Sequence, residues 1–219
     1  MLRARLVRRL RPDGRQPLPA ERLDLEALRF PDSRLVKEAF AIGDEAYEPW
    51  LLNHCLRTYL WGGLVGQLER VPVDLEALLV AAIFHDLGLT KKYASDDCEC
   101  FAVAGARVAE QKLAGLAPPQ LVNEVAESVA LHLSATVRPD EGGLNYLLHQ
   151  GALIDVVGRG LGKVQPLVPR VLERHPRLAF KKRIIETLSR ETARHPHGRL
   201  AMVSRVGFLG LIERARFDE

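Results

Sequence analysis

From Ser33 onward the apolar residues of this chain recur at helical spacing, and no clean run of four or more residues alternates apolar with polar. Amphipathic helices give the first pattern and half-buried strands the second, so the spacing predicts an all-α fold. Punctuation divides the helices. Ser33 is a candidate N-cap for a helix to about position 42, with Gly43 as its stop. Further helices are expected over about 47–69, 75–87, 101–115, 119–133, 144–158, 166–174 and 179–194. Asp74 after Pro72 caps the second of these. Pro118-Pro119, Gly142-Gly143 and the glycines at 158, 160 and 162 separate the later ones. Helices of this length bury their apolar stripes only against one another, which predicts a compact helical bundle.

Composition narrows the class of partner. A 219-residue chain with 47% hydrophobic and 27% charged residues can build one core. The expected division is a basic N-terminal arm over 1–25 and a single domain over 26–219. The net charge of +3 arises in the first fifteen residues, which hold six Arg against one Asp. The body is therefore near neutral, with no basic stripe for nucleic acid. Its longest apolar stretch, around 78–84, falls far short of the roughly 20 residues that span a bilayer. The basic start has no apolar segment behind it, so it does not read as a secretory signal. Cys55, Cys98 and Cys100 are an odd count that argues against a disulfide framework. The expectation is a cytoplasmic protein acting on a small molecule, without nucleic acid or membrane, and a homo-oligomer is compatible with it.

Helical phase brings polar residues inward. At 100° per residue, Asp86 falls within about 20–40° of the apolar line through Leu75, Leu79 and Ala82, with His85 at its flank. Asp155 lies on the face of Leu148, Gly151 and Ala152. His54 shares a face with Thr58, Trp61 and Val65, and His132 with Leu121, Val125 and Val129. Four helices thus deliver two carboxylates and three imidazoles, and no inward Lys or Arg is obvious as a counter-charge. An ionised buried Asp costs several kcal/mol unless it is paired or metal-bound. A divalent cation resolves that balance, and nitrogen with carboxylate donors suits zinc, iron or manganese.

The order His54, His85-Asp86, Asp155 resembles the metal-dependent HD-domain superfamily. The segments LLNHCLRTYLWG, LLVAAIFHDLGLT, AVAGARVAEQ, GALIDVVGRG and PRLAFKKRIIETL are similar to its cyanamide hydratase-like branch, over about residues 30–200. The resemblance implies an HD-type helical bundle in which His54, His85, Asp86 and Asp155 bind one divalent metal, most often Zn2+, with Fe2+ or Mn2+ as alternatives. It also implies addition of water to cyanamide to give urea.

A zinc-type site with an open position brings the pKa of bound water to about 7. Two catalytic roles are expected: His132 as proton donor to the substrate nitrogen, and Asp86 as acceptor of the water proton. The rival activity is phosphomonoester hydrolysis, which needs cations at the site. Arg57, about 60° from His54 on one helix, is the substrate-binding candidate, with a solvated flank as its ordinary alternative. Lys91 and Lys92 are further helpers or plain surface charges. A di-iron oxygenase would need two more ligands, of which His132 is one candidate and His149 is turned away. A helical binding module would leave the two acids uncompensated. Asp96 to Cys100 read as an exposed acidic loop over the pocket, and Cys55 as a core residue.

Overall fold

The computed structural model describes residues 17–95 and 100–217, and among them there are helices and no strands. Most of the expected arm, and Asp96, Asp97, Cys98 and Glu99 of the acidic loop, lie outside the described residues. Ten α-helices follow in order: α1 Arg34–Ala46, α2 Pro49–Glu69, α3 Leu75–Phe84, α4 Phe101–Leu113, α5 Pro119–Leu131, α6 Gly143–Val157, α7 Val168–Arg174, α8 Phe180–Arg194, α9 Arg199–Arg205 and α10 Phe208–Glu213. The all-α bundle expected from the spacing is what forms. No helix among the described residues is long and apolar enough to cross a membrane.

The caps work as the residue types require. The Ser33 side chain accepts from the Val36 N–H, and Asp74 accepts from that of Glu76. Pro49 and Pro119 stand in the first turns of their helices, where a missing N–H costs nothing. Gly158 ends α6 in the left-handed conformation at φ 72°.

Three boundaries differ from expectation. Gly43 does not stop α1, which runs on to Ala46. A Cβ at Gly43 would meet Ile83 at 3.1 Å, so this glycine serves close packing on α3. The body of the domain also starts before position 26. Leu23 and Leu25 are buried in the core, and the Leu18 N–H donates to the Leu68 carbonyl. Finally, α9 and α10 follow the expected last helix.

What positions the site is the crossing of α2 and α6, with α3 and α5 packed beside them. A Cβ at Gly151 would lie 2.1 Å from the Thr58 carbonyl oxygen, so only glycine lets the two backbones meet there. One turn on, Asp155 is brought against His54, Arg57 and Trp61 of α2.

Candidate metal centre

Three of the four expected ligands converge. His54 Nε2 lies 3.2 Å from His85 Nε2 and 3.4 Å from Asp86 Oδ2, and His85 Nε2 lies 3.5 Å from the same oxygen. All three side chains are buried, and among the described residues they form the one group of three ligating side chains close enough to share an ion. Ligand atoms about 2.0–2.1 Å from a tetrahedral zinc lie roughly 3.3–3.4 Å from one another. The donor spacing fits a cation at the centre.

The tautomers sharpen that fit. His54 Nδ1 is 2.7 Å from Asp155 Oδ2, and His85 Nδ1 is 2.7 Å from the Ala82 carbonyl oxygen. Both partners only accept, so each Nδ1 carries the proton and each neutral ring turns a lone pair at Nε2 toward the other. Two lone pairs 3.2 Å apart do not form a hydrogen bond. A proton or a metal cation between them resolves the contact.

His85 and Asp86 owe their places to the end of α3 rather than to its helical face. The helix stops at Phe84, His85 is its C-cap, and Asp86 has left it at φ −108°, ψ 9°. Gly88 permits the turn: a Cβ there would stand 2.1 Å from the Phe101 carbonyl oxygen. His132 comes directly after α5 and keeps its helical phase. It is the C-cap, and its Nδ1 donates to the Val129 carbonyl at 2.6 Å. Its Nε2 lies 3.7 Å from Asp86 Oδ1. Neutral, it presents a lone pair to the site and no proton, so the expected donor role is not what this geometry offers.

Asp155 stands behind His54, outside the cluster. Its Oδ1 accepts from Arg57 Nε at 2.8 Å and Trp61 Nε1 at 2.9 Å, and its Oδ2 from Arg57 Nη2 at 2.8 Å and His54 Nδ1 at 2.7 Å. Arg177 adds a cation 3.5 Å from Oδ1. Two expectations are corrected here. An inward cation exists, because Arg57 is 0% exposed and Arg177 3%. Arg57 is also not a substrate-binding residue at the rim: besides its fork on Asp155, its Nη1 donates to the His175 and Pro176 carbonyls, and it does not line the cavity. Phe180 of α8 covers this assembly, stacking on His54 with ring centres 4.7 Å apart and lying under both guanidinium groups.

Electrostatics follow the contacts. Burial would raise Asp155, but the charge of Arg57 and the bonds from His54 and Arg57 outweigh it and hold the carboxyl well below its ordinary range. Asp86 behaves alike: burial is overcome by the imidazoles of His85, His54 and His132, and it stays low. Burial would lower His54, yet its bonds to Asp155 and Asp86 leave it raised. His85 is lowered, chiefly by burial. His132 is pushed down to about 3 by burial and the neighbouring His85.

The cluster opens into a cavity of about 210 Å³. His54, His85, Asp86 and His132 form its polar end, and Leu89, Phe101, Val156, Ile184, Leu188 and Phe208 are among its apolar walls. Ser134 and Arg159 line it too. His149 is buried but donates from Nδ1 to the His132 carbonyl and does not line the cavity. Sequence reasoning missed Arg177, Phe180 and Arg159; Trp61 was visible only as sharing the face of His54. Of the cysteines, Cys55 is a buried core residue and Cys100 precedes α4.

Compared with protein families, the chain matches the one described as HD domain over residues 51–190. That span holds every residue of the cluster and its support. Among curated proteins none matches it.

Proposed function

Because this chain belongs to the HD-domain family, we propose that it is a metal-dependent enzyme that adds water to a small uncharged substrate of the nitrile type. Cyanamide, giving urea, is the simplest case. The family is one of metal-dependent hydrolases, and a His/Asp site able to take a metal is present. The observation that carries the reading is the meeting of the His54 and His85 lone pairs 3.2 Å apart beside the Asp86 carboxylate. His54, His85 and Asp86 hold the cation, zinc first, with iron or manganese as alternatives.

When bound, such a cation supplies water activated at neutral pH. Asp86 is the residue to accept the proton, since it is ionised and its two oxygens face different sides of the cluster, Oδ2 toward His54 and His85 and Oδ1 toward His132. The apolar walls exclude bulk water and receive an uncharged body. At about 210 Å³ the cavity is many times the roughly 10–15 Å³ that holds one water. A nitrile with an aliphatic body therefore fits better than cyanamide alone.

The cations that the sequence offered for a phosphate dianion lie elsewhere. Arg57 is spent on Asp155, Lys92 pairs with Glu45, and Lys91 is exposed over a different groove. Arg159 and Ser134 on the cavity wall favour a second reading, phosphomonoester hydrolysis. The test offers metal-loaded protein cyanamide, larger aliphatic nitriles and nucleoside monophosphates, with urea, amide and phosphate measured. Urea or amide release that is lost in His54→Ala supports hydration. Phosphate release without either product overturns it in favour of the second reading.

A further inference from the structure

Beside the cavity at the metal centre lies a second pocket of about 260 Å³, and Ala135, Leu153 and Arg159 line both. We propose that this pocket is a subsite for the far end of the substrate, where Arg159 and His149 select an uncharged group that accepts and donates hydrogen bonds at once, a primary carboxamide first. The inference rests on the hydration reading above and names the end of the substrate that does not react.

The first ground is an unspent cation. Gly158 and Gly160, on either side of Arg159, adopt φ of 72° and 92°, values that glycine takes without strain. The chain turns there as it leaves α6, and Arg159 comes to line the two spaces beside Leu153 of that helix. It is exposed, and it forms no ion pair or hydrogen bond among the described residues. Lys163 on the same pocket is by contrast paired with Glu69 at 2.8 Å.

The second ground is a buried acceptor on the same pocket. His149 is 2% exposed, and its Nδ1 donates to the His132 carbonyl at 2.9 Å. Burial, with the charge of Arg159 added to it, pushes the ring below its ordinary value, so it is neutral and Nε2 carries a lone pair. That atom is not sealed off from the pocket and has no partner among the described residues. A ligand that takes it out of water must supply a donor in return. A carboxylate would pair with Arg159 but has no proton for Nε2, and an ammonium would donate to Nε2 but face the guanidinium. A primary carboxamide does both, its oxygen toward Arg159 and an N–H toward His149. The apolar walls of the cavity then hold an aliphatic body between this group and the reacting nitrile.

The test offers the metal-loaded full chain ω-cyanocarboxamides of increasing length, beside alkyl nitriles and ω-cyanocarboxylates of the same lengths. At the length that spans both spaces, the carboxamide is expected to exceed either counterpart in kcat/KM by about tenfold or more, chiefly through KM. Arg159→Met and His149→Asn should each lower the ratio of carboxamide to alkyl nitrile by about tenfold, as for one hydrogen bond to a charged or buried group. Asparagine still offers an N–H to the His132 carbonyl, and Arg159 is exposed, so its replacement leaves the core intact even if the other variant fails to fold. Equal rates for carboxamide and alkyl nitrile at every length, a preference for the carboxylate, or a ratio unmoved by Arg159→Met would overturn the subsite and leave hydration standing. If no nitrile is hydrated, the proposed function fails by itself. Calorimetry with alkyl carboxamides then decides the subsite: affinity that falls about tenfold in Arg159→Met supports it, and affinity that does not move overturns it.

Discussion

Replacing Arg57 by Met tests whether the Asp155 assembly is structural. Met keeps the apolar stem and removes the guanidinium, so the loss reports the charge and its bonds. Breaking a buried ion pair costs about 3–5 kcal/mol, because the surviving carboxylate stays in the interior. The His175 and Pro176 carbonyls also lose their donor, at about 1–3 kcal/mol for each that water cannot reach. Both sit in partly buried surroundings, so the low end applies to each and the total is roughly 5–7 kcal/mol. Against a whole stability of about 5–15 kcal/mol this is severe. Urea unfolding at neutral pH, followed by circular dichroism, measures it.

The pH dependence has a definite sign. In the native chain the folded pKa of Asp155 lies well below its ordinary value of 3.8, so its contribution is present above that value and drains away as pH falls below it. In Arg57→Met, protonation of Asp155 relieves the unpaired charge, so the gap between the two proteins narrows as pH is lowered. A loss under about 1 kcal/mol with an unchanged denaturant slope, or a gap that widens toward acid, would refute the buried fork. Whichever way activity responds, Arg57 cannot discriminate a phosphohydrolase from a hydratase, since its removal unsettles His54 from behind.

Other consequences are open to direct measurement. Zinc, iron or manganese at 100 times its dissociation constant should stabilise the fold by about 2.7 kcal/mol and raise its melting temperature by roughly 5–11 °C, an increment that His85→Ala abolishes. No shift with any of the three would count against the site. Gly151→Ala sets a methyl 2.1 Å from the Thr58 oxygen and must push α6 off α2; thermal melting should show a loss of at least about 2 kcal/mol, and an unchanged melting point would refute the close crossing. Lys91→Ala and Lys92→Ala should leave kcat/KM within about twofold, and a loss of about tenfold or more in either would bring a cation back to the substrate.

Periodicity made the bundle legible because helix packing needs little beyond an apolar stripe and a stop signal. It made His54 and Asp155 legible too, since both sit inside long helices where phase holds. His132 keeps the phase of α5, with φ −57° and ψ −28° directly after its last residue, but Asp86 came inward for another reason. Its helix ends two residues earlier, and it is the turn that aims it. Arg57 was misplaced because phase sees angle and not depth: a residue about 60° from the buried line can be solvated or swallowed, depending on what covers it. What covers it is the segment 175–180, more than a hundred positions away, and no local pattern announces a partner at that distance. Leu178 and Ala179 there adopt φ of 54° and 59°, which their side chains disfavour and the sequence does not betray.

The charge balance of the site can now be restated from its parts. Counting Asp86 and Asp155 against a divalent cation gives neutrality, but Asp155 already faces Arg57 and Arg177 and has no charge to spare. The compensation comes from the backbone. Helices α3 and α5 both end at the cluster, and a helix C-terminus carries about half a negative charge. Two such ends with the Asp86 carboxylate amount to about −2, partly relieved where His85, His132 and Tyr47 bond the last-turn carbonyls. The same carbonyls that hold the two rings in their tautomers therefore also draw a cation between them. An anionic substrate would meet that field unless the cation were already in place. On the cavity wall itself, Arg159 and Ser134 are the groups able to meet a negative charge, and the proposal of an uncharged substrate rests on the apolar character of the other walls.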